Sequence, residues 1–194
     1  MSGDGVERPW RLFVAVPLDE ELRAALAAAV DAWRSRPGAD GLRWTNPDGW
    51  HVTLAFLGAT EASRVPALLS GLERAAGESP AFTLETGGIG GFPSARRARV
   101  AWYGVADPER RLRALAASVR RELKVEPGPF RGHLTLARAR DRDGVDLTGW
   151  LRPDEAPEGT LAVDRLVLYR SHLGRGPAQY EVVAEAPLGA MVRA

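Results

Sequence analysis

Two of the chain's three histidines open the same short pattern, His-x-Thr-Leu: His51 and Thr53 in "WHVTLAFLG", His133 and Thr135 in "GHLTLARAR". An imidazole of ordinary pKa near 6.5 holds or releases a proton with similar ease around neutrality. Two of them facing one substrate can take a proton from an attacking oxygen and give one to a leaving oxygen, the two transfers that displacement at an ester requires. Threonine hydroxyls beside them can hydrogen-bond the non-bridging oxygens of an anionic group. A phosphate diester uses all of these groups, whereas a carbonyl substrate leaves half of the donors idle.

The pattern must sit on strands to work this way. Residues i and i+2 of a strand share a face, so His51 and Thr53 point one way while Val52, Leu54 and Phe56 point the other, toward the core. His133 and Thr135 stand likewise against Leu134 and Leu136. "RLFVAV" (11–16) predicts a preceding strand ending at Pro17, and Asp19 is placed to cap the helix "EELRAALAAAVDAWRSR". That helix presents Leu22, Leu26, Ala29, Val30 and Trp33 on one face and stops at Pro37-Gly38. The second histidine has the same approach: a strand "RVAWYGV" (99–105), a helix start at Asp107-Pro108, a helix "ERRLRALAASVRRELK" with Leu112, Leu115, Ala116, Val119 and Leu123 inward, then the turn "EPGPFRG". Strand, helix and histidine strand thus occur twice, over about 11–60 and 99–140, the spacing of a duplicated half-domain rather than a solenoid. Residues 62–77 read as a further helix, 81–90 as a strand, and 161–173 with 178–188 as a late hairpin. The expected architecture is α+β: one bilobal domain over 1–194, in which two facing antiparallel or mixed sheets enclose a central cleft.

Composition narrows the classes. Of 194 residues, 45% are hydrophobic and 26% charged, and no apolar run approaches the roughly 20 residues of a membrane helix. "MSGDGVERPW" shows no secretory pattern, so the expected location is the cytoplasm. The absence of cysteine excludes disulfides, thiolate nucleophiles and cysteine-ligated zinc. Lys124 is the only lysine among 26 basic residues; arginine enrichment fits either a coding bias with solvated faces or forks placed for phosphate. "TGGIGGF" (86–92) holds no G-x-G-x-x-G register and Lys124 precedes Val125, which rules out a P-loop, so this stretch reads as a tight connection. "SARRAR" (94–99) is a basic loop suited equally to an RNA backbone or to solvent. Trp44, Trp50 and Phe56 flank the first motif as candidate stacking partners for a base, with core packing preferred for Phe56. His172 has no repeat partner and reads as a surface residue, and no HxH, HExxH or carboxylate-histidine cluster suggests a metal site.

The two tetrads, "FLG" after the first, "GLRW" before it and the late "GPAQYEV" resemble the 2H phosphoesterase superfamily. Within it the similarity is to the bacterial and archaeal RNA 2′,3′-cyclic phosphodiesterases, the LigT/ThpR-like group of the 2′-5′ RNA ligase family. The likeness spans "RLFVAV" to Leu188. It implies a two-lobed fold and hydrolysis of a terminal 2′,3′-cyclic phosphate to a 2′-phosphomonoester, with no cofactor and no metal. It also implies His51 as proton donor to the leaving 3′ oxygen, His133 as proton acceptor from water, and Thr53, Thr135 and Arg138 as phosphate ligands. Strict alternation would put Arg138 opposite His133, so its use requires a strand end or a twist. Reverse 2′-5′ RNA ligation without ATP is an implied side activity. The residues alone leave open which histidine is the acid, and three alternatives stand beside this one: a relative that cleaves 2′-5′ linkages, one that acts on small cyclic nucleotides, or an RNA-end-binding module without turnover. The expected partners are RNA ends or nucleotides bearing the cyclic phosphate, with no membrane and a monomer as the default.

Overall fold

The computed structural model describes residues 8–149, 152, 155–172, 174 and 178–189. The chain runs β1 (Trp10–Pro17), α1 (Glu20–Arg34), β2 (Leu42–Trp44), β3 (His51–Thr60), α2 (Val65–Gly77), β4 (Phe82–Phe92), β5 (Val100–Val105), α3 (Arg111–Glu122), β6 (His133–Ala139), β7 (Gly159–Val163), β8 (Arg165–His172) and β9 (Gln179–Pro187). The duplicated unit is visible as β1-α1-β3 and β5-α3-β6.

Local chemistry explains these elements. Asp19 accepts the Leu22 N–H at 2.8 Å and so starts α1, whose Leu22, Leu26, Val30 and Trp33 are buried while Ala29 is half-buried. A cap of this kind contributes about 1 kcal/mol, and each fully buried aliphatic side chain about 1.5–3 kcal/mol. Before α3 the expected start shifts. Asp107 and Pro108 lie in a turn, the helix begins at Arg111, and the Asp107 carboxylate reaches forward to the N–H groups of Leu112 and Arg113. The five expected core residues of that helix are all buried.

The sheet corrects the expectation of two facing sheets. One strongly curled antiparallel sheet of nine strands has the order β7-β4-β5-β6-β3-β1-β8-β9, with β2 paired to β6. Its two halves meet where β3 and β6 pair through Val52 and Leu134, the apolar residues directly after the two histidines. The curl therefore sets the two histidine faces toward one concavity. The late segment also differs from a simple hairpin. Asp164 divides residues 161–173, so that β7 joins β4 in the second half while β8 and β9 extend the first half beside β1. "TGGIGGF" is the end of β4 rather than a separate connection; the strand pairs with β5 through Phe92, with an irregularity between Thr86 and Ile89 at Gly88, whose φ is 68°. Each repeat's helix lies against the other half of the sheet, α1 near β7 and α3 against β3.

Candidate active site

His51 and His133 stand at the first positions of β3 and β6, both half-buried. Their Nδ1 atoms are held in the same way, His51 Nδ1 2.7 Å from the Gly49 carbonyl oxygen and His133 Nδ1 2.8 Å from that of Arg131. A carbonyl oxygen only accepts, so each Nδ1 carries the proton and donates, leaving Nε2 as the working nitrogen. Thr53 and Thr135 follow on the same faces. Among the described residues their hydroxyls make no hydrogen bond to the protein.

The strands then break their alternation at matching places. Across β1 and β3, Val14 opposes Ala55 and Ala15 opposes Thr53, leaving Leu54 as an extra residue. Across β5 and β6, Ala101 opposes Ala137 and Trp102 opposes Thr135, leaving Leu136. A β-bulge puts two consecutive residues on one side. Leu54 with Ala55, and Leu136 with Ala137, are accordingly both buried. The next residues, Phe56 and Arg138, return to the histidine face. Arg138 thereby gains the position that strict alternation denied it, and Phe56 is 67% exposed, which corrects its assignment to the core.

The bulged carbonyls are held by the opposite repeat. The Thr45 N–H donates to Leu136 O at 2.9 Å, and the Thr45 hydroxyl lies 2.8 Å from Leu136 O and 3.0 Å from Thr135 O. That hydroxyl also accepts the Trp50 indole N–H at 2.8 Å. In β3, Leu54 O accepts from Arg120 Nε at 3.0 Å, and Arg120 also donates to Gly128 O at 2.8 Å.

Aromatic rings surround the first imidazole. Phe13 lies 4.7 Å from His51 between centroids, Tyr180 5.2 Å edge-on and Tyr169 5.8 Å. Register links Phe56, Phe13, Tyr169 and Val182 as successive cross-strand neighbours. Around the second imidazole, Phe92 meets His133 edge-on at 5.0 Å and Trp102 is opposite Thr135. Trp102 lies so close to β4 that a Cβ at Gly90 would sit 2.3 Å from its ring.

The first imidazole sits in a setting that disfavours its charged form. Burial, with smaller effects from the charge of Arg138 and from His133, lowers the His51 pKa from 6.5 to about 4, although its bond to Gly49 acts the other way. Both named groups therefore act on the same imidazole, and His51 is neutral at pH 7 in the free protein.

The structure thus brings His51, Thr53, His133, Thr135 and Arg138 to one concave face. Trp50 is buried as the partner of Thr45, and Trp44 stands opposite the buried Ala137, away from the histidines; neither is a stacking surface. His172 ends β8 against Glu181 at 2.7 Å, outside the site. Arg96, Arg97 and Arg99 are exposed around a short helical turn before β5. Of the late "GPAQYEV" stretch, Gly176 and Pro177 lie outside the described residues. Phe13, Tyr169, Tyr180, Phe92, Thr45 and Arg120 were not singled out by their sequence. Phe13 is hidden in an unbroken apolar run, and only alternation in "QYEVV" marks Tyr180. Among the described residues no group of three or more His, Asp or Glu side chains gathers, and no helix is long and apolar enough to cross a membrane.

Comparison with known proteins gives a consistent picture. Residues 20–175 match the family model described as the 2′-5′ RNA ligase superfamily. The RNA 2′,3′-cyclic phosphodiesterase of Escherichia coli is 32% identical over 184 residues, 90% of this chain and 94% of that protein. That of Geobacillus stearothermophilus is 30% identical over 181 residues, 91% of this chain; the matched region spans 56% of that longer relative. The crystal structure of E. coli LigT in its apo form superposes with a TM-score of 0.71 at 30% identity, covering 94% of this chain and 99% of LigT. The LigT structure complexed with 3′-AMP gives 0.70 at 30% identity, over 93% and 98%.

Proposed function

Since the chain belongs to the 2′-5′ RNA ligase superfamily, we propose that it is an RNA 2′,3′-cyclic phosphodiesterase, opening a terminal cyclic phosphate to a 2′-phosphomonoester. The observation that carries this reading is the pair of imidazoles, each anchored through Nδ1 to the carbonyl two residues before it, with an unpartnered threonine hydroxyl two residues after it.

In this mechanism the cyclic phosphate sits between Thr53 and Thr135, whose hydroxyls donate to its non-bridging oxygens, with the Arg138 guanidinium alongside. These donors face the charge that builds on the phosphoryl oxygens in the transition state. His133 Nε2 takes a proton from water as the water oxygen bonds to phosphorus. The P–O3′ bond breaks on the opposite side, and the leaving 3′ oxygen takes the proton of His51 Nε2. The product keeps the phosphate on the 2′ oxygen. With a 5′-hydroxyl in place of water, the same two transfers join the ends: His133 takes the hydroxyl proton as its oxygen bonds to phosphorus, the P–O3′ bond breaks, the 3′ oxygen takes the proton of His51, and a 2′-5′ linkage results without ATP.

A donor must hold its proton before it gives it. His51 is neutral in the free protein, so in this reading the anionic phosphate, placed against Arg138 and both imidazoles, raises its pKa and the complex takes up a proton. The low pKa also favours a second reading with the roles exchanged, His51 as the base and His133 as the acid. A substrate whose 3′ bridging oxygen is replaced by sulfur separates them, because a thiolate leaves without protonation. Such a substrate rescues the variant lacking the acid and not the one lacking the base. The function itself is tested by incubating an RNA that ends in a 2′,3′-cyclic phosphate with the protein and a chelator, then identifying the end formed. A 2′-phosphate supports the reading. Bound but unchanged RNA, or cleavage confined to internal 2′-5′ linkages, overturns it.

A further inference from the structure

We propose that Arg43 is a second phosphate anchor, holding the phosphodiester next to the scissile cyclic phosphate, so that the preferred substrate is the end of a polynucleotide rather than a free nucleoside cyclic phosphate. This rests on the phosphodiesterase reading and extends it to the length of the substrate.

β2 is three residues long, and its middle residue, Arg43, stands directly opposite Arg138 in the antiparallel pair with β6. Directly opposed residues share a face, with Cβ atoms about 4.5–5.5 Å apart. Leu42 is buried and Trp44 opposes the buried Ala137, so Arg43 is the residue of β2 that joins the histidine face, and it is exposed.

Two like charges so placed repel each other, an arrangement that disfavours the sheet pairing. Nothing in the protein offsets it, since among the described residues neither Arg43 nor Arg138 makes an ion pair or a side-chain hydrogen bond. Of the other arginines in the sheet, Arg165 pairs with Asp164 and Glu185, Arg170 lies near Glu181 and over Trp10, and Arg11 stands opposite Ala59, facing no like charge. Two uncompensated guanidinium forks side by side at the mouth of an anion site suit two negative charges rather than one. With Arg138 on the scissile group, Arg43 lies one strand further out, about 4.8 Å away in the sheet. In an RNA end the next negative charge is the phosphodiester on the 5′ side of the terminal nucleotide, one nucleotide away. Arginine is suited to it because its planar fork pairs with two phosphate oxygens at once.

The test compares kcat/KM on a nucleoside 2′,3′-cyclic phosphate with that on a dinucleotide ending in the same group, for the wild-type protein and Arg43→Gln. A third substrate replaces the internal phosphodiester with an uncharged methylphosphonate. The wild-type protein is expected to prefer the charged dinucleotide by about 10-fold, as one charge-assisted contact implies. R43Q and the methylphosphonate should each remove that preference, with turnover of the nucleoside cyclic phosphate unchanged. The salt dependence of dinucleotide KM should weaken in R43Q by about one counterion. A preference that persists in R43Q overturns the proposal, as does an equal loss on both substrates, which would place Arg43 on the scissile phosphate beside Arg138. Failure of the wild-type protein to turn over any of the three substrates would instead overturn the phosphodiesterase reading.

Discussion

Phe56 and Arg138 occupy equivalent positions in the two repeats, each returned to the histidine face by a bulge at the preceding leucine-alanine pair. The duplication has made the geometry alike and the chemistry different, an apolar ring at one end of the concavity and a fixed positive charge at the other. A ring 67% exposed beside Phe13, with ring centroids 6.1 Å apart, is a surface on which a base of any identity can stack. Phe56→Ala should raise KM by about 10-fold for substrates with any of the four bases while leaving kcat largely in place. Arg138→Ala should lower kcat/KM by about 10- to 100-fold, the scale of a hydrogen bond to a charged group. Steady-state kinetics over a four-base substrate set check both, and a change of base preference in the Phe56 variant would contradict stacking.

Thr45 is a positioning residue for Arg138, because it holds the carbonyls of the bulge that turns Arg138 toward the histidines. Thr45→Val removes these hydroxyl bonds and leaves the buried Trp50 N–H without its acceptor. The expected cost is about 1–3 kcal/mol of stability, together with a fall in kcat/KM. Thr45→Ser should restore both. In a double-mutant cycle, T45V should cost little kcat/KM once Arg138 is already alanine; full additivity would show that Thr45 supports the fold without positioning Arg138.

Stability should depend on pH through His51. The fold holds its imidazole at a pKa of about 4, whereas in the unfolded chain it takes a proton near 6.5. Between these values the unfolded state binds more protons, so the contribution is complete above about pH 6.5, falls as pH drops, and is gone below about 4. Its size is at most about 3 kcal/mol. Denaturant unfolding at pH 7 and pH 4.5 should show a steeper loss in the wild-type protein than in His51→Gln, and equal losses would contradict the depressed pKa.

Binding should take up a proton if His51 is the donor. Titration calorimetry of a 2′-phosphate product near pH 7, in buffers of different ionisation enthalpy, should report uptake approaching one proton in the wild-type protein and none in His51→Gln. No uptake in the wild-type protein would favour the exchanged roles, with His51 as base.

How much of this was legible in the sequence follows from where local rules hold. The histidine-threonine pairs were readable because His51, Thr53, His133 and Thr135 all precede the bulge, where alternation still applies. The bulges that set the faces of Phe56 and Arg138 were not, since neither Leu54-Ala55 nor Leu136-Ala137 carries the glycine or proline that would announce an irregular strand. α1 was legible from Asp19 and its apolar face. The joining of two expected sheets into one was not, because it depends on the pairing of Val52 with Leu134, a contact between distant parts of the chain that no local pattern encodes. The split of the late segment did leave a trace, the lone Asp164 within "LAVDRLVLY". Arg43 lies in the "GLRW" stretch that shares in the family resemblance, but its place beside Arg138 is set by the register of β2 against β6, which no local pattern encodes.

The central claim is that two histidines divide acid and base duties at a phosphate diester. The most direct measurement is turnover, with a chelator present, of an RNA ending in a 2′,3′-cyclic phosphate by the wild-type protein, His51→Ala and His133→Ala. Release of a 2′-phosphate end by the wild-type protein is expected, with losses of about 10²- to 10⁴-fold in each variant, the range of one proton-transfer group. Turnover retained within a few-fold in either variant, or none in the wild-type protein while it still binds the RNA, would contradict it.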